Sequence, residues 1–325
     1  MIRHVAAAVP LFALTLGAAA PASAQTYPSK PLRIVAPFPA GGTSDTIARI
    51  LAQKLSEAWG QPAVVDNRGG VGGSLGTEVA AKSPADGYTL LVGNVSPVAI
   101  NQNIYRKIGY DPVRDLTPIS LAVTAPQLVV VHPSVPAKNM KELVAVARGR
   151  KDKDRLNFGS SGPGSISQLS AELFKIMAKV DMVHIPYKGS ALITNDILGG
   201  HLDIVFSDMA VVLPHVKGGK LRALGVTGPT PTPLVPGVPA VADTVPEFVV
   251  QSWWGVLGPA GVPEAVVTRL NTELVRILQT ADVKDRFANL GVEAKSSSVA
   301  EFSALIKAEI PRYAKLIKDI GITPE

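Results

Sequence analysis

Cysteine is absent from all 325 residues. No disulfide, thiolate nucleophile or thiolate metal site is therefore available, and stability has to come from burial. Metal-binding spacing is missing as well. There is no H-E-x-x-H, and His132, His184, His201 and His215 show no ligand-like pairing, so no metal is expected. His184 alternates with apolar neighbours and His132 precedes Pro133, so both read as packed or solvated groups. G-x-x-x-x-G-K-[ST] is absent. The stretch Gly70-Val71-Gly72-Gly73-Ser74-Leu75-Gly76 comes near a dinucleotide fingerprint. Counted from Gly70 and Gly72, however, Leu75 fills the third glycine position. No cofactor is expected.

Charge is scarce and balanced. Lys and Arg total 32 against 26 Asp and Glu, a formal net of +6. The densest basic run, Arg148-Gly149-Arg150-Lys151-Asp152-Lys153-Asp154-Arg155, carries its own acids and no aromatic residues. It reads as a solvated helix end, and nucleic acid is excluded as a partner.

No hydrophobic run reaches the roughly 18 residues of a membrane span. The longest, Val5 to Ala20, follows Arg3 and leads to Ala22-Ser23-Ala24, the anatomy of a secretory signal cleaved after Ala24. The expected mature chain has 301 residues and a net charge of +5, with Arg3 the only charge removed. A chain of that length usually divides into two cores. The expected compartment is the periplasm.

What is present is a steady alternation of short apolar strands and amphipathic helices, the mark of an α/β chain with largely parallel sheets. Strands are expected at Leu32–Ala36, Ala63–Val65, Tyr88–Val92, Gln127–Val131, Leu156–Phe158, Met182–Pro186, Asp203–Phe206 and Leu221–Val226. Between the first two, Ile47, Ile50, Leu51, Leu55 and Ala58 follow a 3.6-residue repeat. Asn139 with Glu142, Ser165 with Gln168 and Ser298 with Glu301 are helix-start signals. The last helix should run from about Val299 to Ile320, bent at Pro311. Six prolines between Gly228 and Pro246 exclude regular structure there.

In open α/β sheets ligands sit beyond the carboxyl ends of the strands. The turns at those ends are PFPAGGTSD (37–45), GNVSP (93–97), GSSGPGS (159–165), PYKGS (186–190) and SD (207–208). Glycines there allow close backbone approach, hydroxyls donate, and the helix that follows aims free N–H groups at a guest. Two such loops facing each other would hold a carboxylate without Arg or Lys. Ordinary strand-to-helix turns share these features. Ser161 lies in G-S-S-G rather than in a G-x-S-x-G elbow. Asp208, the one acid at a strand-end turn of the second half, reads either as a ligand contact or as a helix cap. Tyr187 and the pair Trp253-Trp254 read as cleft lining or as packing, and adjacent strand residues point to opposite faces.

Taken together, YPSKPLRIVAPFPAGGTSDTIAR, VDNRGGVGGSLG, SPADGYTLLVG, YDPVRDLTPIS, LNFGSSGPGS, HIPYKGS, GKLRALGVT and WWGVLGPAGVP resemble the tripartite tricarboxylate transporter substrate-binding proteins. These are also called the Bordetella uptake family. The resemblance runs in unbroken order from about Tyr27 to Ile322. It implies a type II periplasmic binding-protein fold, with two Rossmann-like α/β lobes around a central ligand cleft. Residues 27–125 plus 249–325 would form lobe 1, and 126–248 lobe 2.

The resemblance also implies capture of a small carboxylate and its presentation to inner-membrane transporter subunits by a monomeric, non-enzymatic receptor. Carried over by position, the contacts are Phe38, Ala40, Gly41 and Thr43 from the first loop, and Asn94 and Ser96 after the third strand. The opposite lobe supplies Ser160, Ser161, Gly162 and Ser165, with Asp208 at a selectivity position. Two departures stand out. Ser167-Gln168-Leu169 replaces the family's frequent Ser-His-Leu, and Lys151–Arg155 replaces a Pro-Gly pair on the surface. Two other readings stay open: a sensory co-receptor for a membrane histidine kinase, and a periplasmic hydrolase using Ser160 or Ser161. The hydrolase needs a base within hydrogen-bond reach, and the sequence places no histidine beside either serine.

Overall fold

A computed structural model describes residues 27–322. The expected export signal over residues 1–24 lies outside them. The first half opens with β1 (Leu32–Ala36), α1 (Thr43–Trp59), β2 (Ala63–Asn67), α2 (Ser74–Ala81) and β3 (Thr89–Asn94). A long strand, β4 (Leu116–Val131), leads into α3 (Met140–Gly149), β5 (Leu156–Ser160), α4 (Ile166–Ala178) and β6 (Met182–Pro186). Then come α5 (Ser190–Leu198), β7 (Ile204–Asp208), α6 (Met209–Lys217) and β8 (Arg222–Val226). The chain closes with β9 (Gln251–Pro259), α7 (Glu264–Gln279), α8 (Ala281–Asn289), β10 (Glu293–Ala294) and α9 (Val299–Asp319).

The strand order is β2-β1-β3-β9-β4-β7-β5-β6, with β10 and β8 also paired to β4. β4 is therefore the strand common to two half-sheets. Its earlier residues pair with β9, and Gln127–Val131 pair with β7 and β8. Within each half the βαβ units are parallel: β1 with β2 and β3, β5 with β6 and β7. The connections to β4 and β9 are antiparallel, so the expectation of largely parallel sheets gives way to a mixed one. The expected strand at Gln127 also begins earlier, at Leu116. Pro118 and Pro126 hide that stretch from a periodicity reading, because proline cannot donate to a ladder. Register shifts between Pro118 and Ser120 and between Leu121 and Val123 accommodate the irregular pairing.

Local chemistry accounts for the elements around the crease. α1 buries Ile47, Ile50, Leu51 and Leu55, and stops at Gly60, whose φ of 67° supplies the left-handed end. Those side chains pack with Leu90, Val92, Trp254 and Phe287. Each fully buried leucine or isoleucine contributes on the order of 2 kcal/mol. In the second half Phe174, Phe206 and Phe248 form an aromatic cluster with centroids 5.4 to 6.3 Å apart. Asn139, Ser165 and Ser298 cap their helices as expected, and Ser298 with Glu301 completes a capping box. Pro311 lies inside α9. Among the described residues no helix is long and apolar enough to cross a membrane, and no group of acids and histidines could hold a metal.

This architecture brings the carboxyl ends of β1, β3, β5 and β7 together across the crease between the halves.

Candidate ligand-binding site

A cavity of about 30 Å³ lies where those strand ends meet. Seven of the residues expected from sequence line it: Phe38, Thr43, Asn94, Ser96, Ser161, Ser165 and Asp208. Ser44, Gln127, Ser167, Ser190, Phe206 and Ser207 line it too, with Ile166 and Ile193 as apolar wall. Neither Lys nor Arg is present in this lining, and Asp208 is its one ionisable group.

The first loop works through its helix more than through its glycines. Ala40 and Gly41 are exposed and lie outside the cavity lining. The Gly41 N–H already donates to Asp45 Oδ2 at 2.9 Å, so it is not free for a guest. Asp45 is itself buried and also paired with Arg49, and these partners hold its carboxyl below the usual range against the opposing effect of burial. α1 begins on Gly42, which offers no capping side chain. The first N–H groups of a helix point out along its axis without intrahelical partners, and here the residues that carry them, Thr43 and Ser44, face the cavity. Trp254 stands behind, donating from Nε1 to Ser44 Oγ at 3.1 Å. Both tryptophans are buried packing groups, Trp253 edge-on to Phe302.

In the second loop the hydroxyl protons can be followed one at a time. Ser165 Oγ donates to Gly162 O at 2.6 Å and accepts from Gln168 N at 3.3 Å. Ser167 Oγ sits 3.0 Å from Ser165 Oγ, and with the Ser165 proton already directed to Gly162, Ser167 must be the donor. Ser167 Oγ in turn accepts from Ser161 N at 3.0 Å. Ser160 is fully buried behind the loop, and its Oγ lies 2.6 Å from His184 Nε2. Gly162 is buried as well, its N–H donating to Ser160 Oγ at 3.2 Å. Of the loop serines, only Ser161 keeps a hydroxyl without a protein partner among the described residues, and it lines the cavity.

One expectation changes here. A histidine does stand beside Ser160, contrary to the sequence reading, because β5 and β6 pair in parallel and set Phe158 opposite His184. The serine–histidine pair nevertheless lies outside the cavity lining, and its hydroxyl is engaged in holding Gly162. Ser74, within Gly72-Gly73-Ser74-Leu75-Gly76, is likewise buried and accepts from Asn101 Nδ2 at 2.7 Å.

Asp208 does not cap α6, whose start shows no side-chain cap. Its Oδ2 instead accepts from Thr43 Oγ1 of the other half at 3.0 Å. Burial without a cationic partner pushes its pKa up to about 6, with the hydrogen bond from Thr43 acting in the opposite direction. Gln127, on the shared strand β4, is buried between Ser170, which donates to its Oε1, and Phe206 O.

The halves are drawn together. Besides the Thr43–Asp208 bond, Ile166 N donates to Ser96 Oγ at 3.0 Å and Tyr105 OH donates to Pro163 O at 2.5 Å. A cavity of about 30 Å³ matches roughly one water molecule. A guest of several heavy atoms enters only if the halves part.

Comparison with known proteins follows the same lines. A family model described as the tripartite tricarboxylate transporter family receptor matches residues 47–322. The protein BugT of Bordetella pertussis is 36% identical over 322 residues, which span 98% of each chain. Rpa4515 of R. palustris, solved with adipate, superposes with a TM-score of 0.89 at 36% identity, covering 92% of this chain and 100% of that one. MatC from Rhodopseudomonas palustris, solved with malate, gives 0.84 at 29% identity, covering 90% and 100%. The two-lobed periplasmic binding-protein fold implied by the motifs is the fold of this chain.

Proposed function

Since the chain belongs to the tripartite tricarboxylate transporter family of receptors, we propose that it captures a small organic acid in the cavity between its halves and presents it to a membrane transporter. One observation carries the chemistry. The uncapped start of α1 and the free Ser161 hydroxyl face one cavity whose lining contains no cationic side chain. Helix-terminal N–H groups and hydroxyls bind a carboxylate through charge-assisted hydrogen bonds. They need no lysine or arginine to do it. That adipate and malate occupy two relatives of the same fold supports a carboxylate as the guest.

In this reading Thr43, Ser44, Asn94 and Ser96 belong to the half that receives the carboxylate, and Ser161 and Asp208 close on it from the other. Asp208 faces the guest from beside Thr43, to which it is hydrogen-bonded at 3.0 Å. As a carboxylate it favours a hydroxyl or ammonium there, and once protonated it donates to a second carboxylate. The lobes are residues 27–125 with 249–325, and residues 126–248, joined at β4 and β9. A ligand that contacts both halves stabilises the closed form over the open one.

The test is a thermal-shift panel of mono-, di- and tricarboxylic acids with matched neutral amides as controls. Binding to the native state raises the melting temperature. At least one acid should raise it in a saturable way while its amide does not. A panel in which no acid shifts the transition, or in which amides match acids, contradicts the proposal.

A further inference from the structure

We propose that His184 is a positioning residue for the second binding loop: its Nε2 takes the Ser160 proton, fixes Gly162 through Ser160, and so aims Ser161 into the cavity. His184 lies on the edge strand β6 and has no place in the cavity lining. Its ring stacks on Phe158 at 4.8 Å with the planes 14° apart, which sets its direction.

Proton accounting assigns the tautomer. A serine hydroxyl has one proton and two acceptor sites. Ser160 Oγ accepts from Gly162 N at 3.2 Å. Its own proton has two possible destinations, His184 Nε2 at 2.6 Å or Gly162 O at 3.4 Å. Gly162 O already receives Ser165 N at 3.1 Å and Ser165 Oγ at 2.6 Å, which fills both its lone pairs. The Ser160 proton therefore goes to Nε2, and His184 is neutral with its hydrogen on Nδ1. A proton on Nε2 would point two hydrogens at each other or strand the Ser160 proton.

The other charges that reach the ring do not oppose this. Glu172 and Lys175 on α4 act on it with opposite signs and are paired with each other at 2.8 Å. Burial, the largest influence, also favours the neutral ring.

The consequence reaches the site in two steps. Gly162 adopts a φ of 110°, and a Cβ there would come within 3.0 Å of Tyr187 O, so the turn is tight as well as left-handed. With Gly162 held from behind by Ser160 and in front by Ser165, the peptide between them can place Ser161 in one way. Its N–H is taken by Ser167 and its hydroxyl is left for the cavity. Such a role presupposes the carboxylate reading of that cavity. The order of the loop can be measured without any ligand, however, so either can fail alone.

The experiment uses ligand-free protein, with wild type, His184→Phe, His184→Gln and Ser160→Ala compared by nuclear magnetic resonance. Wild-type His184 should show the neutral Nδ1–H tautomer at neutral pH, and Ser161 should hold a single χ1 rotamer. In His184→Phe, which keeps the stacking on Phe158, and in Ser160→Ala, the Gly162 amide should exchange about tenfold faster and the Ser161 rotamer should average. His184→Gln, whose amide oxygen can still accept, should restore Gly162 exchange to within about twofold of wild type, as expected when one hydrogen bond is regained. Amides of β1 should be unchanged throughout, which separates a loop effect from loss of fold. A wild-type Nε2–H tautomer, a Ser161 rotamer indifferent to His184→Phe, or failure of glutamine to do better than phenylalanine would overturn the assignment.

Discussion

Replacing Asp208 with asparagine should stabilise the ligand-free protein at neutral pH and do much less in acid. The carboxyl is buried without a cationic partner, which raises its pKa from an ordinary 3.8 to about 6. A carboxyl with a raised folded-state pKa costs stability above that window, because the unfolded chain ionises more readily than the native state. The cost is absent below pH 3.8, grows as pH rises through the interval up to about 6, and is constant beyond it. Each pKa unit corresponds to about 1.4 kcal/mol, so the wild type forfeits up to about 3 kcal/mol at pH ~7.5 and about 1 kcal/mol at pH ~4.5.

Asparagine removes the charge and keeps a carbonyl oxygen to accept from Thr43 Oγ1, which donates to Asp208 at 3.0 Å in the wild type. Urea denaturation of both proteins at the two pH values is the assay. The variant should be the more stable at neutral pH by about 2–3 kcal/mol, with the gap narrowing in acid. A variant that is less stable at neutral pH, or a gap that ignores pH, would refute the reasoning that burial dominates at this carboxyl. The same charge bears on binding. Affinity for a dicarboxylate should increase as pH falls through about 6 in the wild type, and this dependence should vanish in the variant.

Other consequences can be checked with the same protein. Thr43→Ala combined with Ser161→Ala should weaken binding of whichever acid gives the largest thermal shift by about tenfold or more, two hydrogen bonds' worth, with the fold retained although the unfolding midpoint falls, because Thr43 no longer donates to Asp208; calorimetry giving an unaltered Kd would remove both residues from the site. Because the cavity lining holds no lysine or arginine, raising salt from about 50 mM to about 0.5 M should change that Kd by less than about threefold, where a site built on exposed cations would lose far more. Gly164→Ala places a Cβ 2.6 Å from Asn101 Oδ1 on a backbone with φ of 74°. It should destabilise the closed form by about 1–3 kcal/mol, visible in small-angle scattering as a larger radius, and an unchanged radius would count against the closure described here.

Much of this architecture is written locally in the chain. β1, β5, β6 and β7 are short apolar runs whose limits follow from local composition within two residues. β4 is different. Its first half carries Pro118 and Pro126 and is stitched into the sheet by partners more than 100 residues away, such as Gly258 opposite Thr117 and Ser252 opposite Ala125. No local pattern announces such pairing.

The site divides the same way. The rule that ligands sit beyond strand ends leads directly to Thr43, Asn94, Ser96, Ser161 and Asp208. Ser190 and Ser207 belong to turns that the rule also marks. Gln127, a buried polar residue inside an apolar strand, gives no sign of its role until Ser170 and Phe206 fold around it. Glycine counting misleads at Gly41, because nothing in PFPAGGTSD says that the carboxylate of Asp45 turns back to take that amide. Ser160 misleads for a similar reason. Its partner His184 lies 24 residues downstream, and strand pairing alone brings the two together.

The central claim is that amide hydrogens and hydroxyls, with no cationic side chain, hold the guest's carboxylate at the start of α1. A crystal structure of the complex with whichever acid gives the largest thermal shift tests it most directly. One carboxylate oxygen should lie about 3 Å from the backbone nitrogens of Thr43 or Ser44, with the Ser161 hydroxyl facing it across the cleft. A carboxylate paired instead with a lysine or arginine, or seated outside the crease between the halves, would contradict the account.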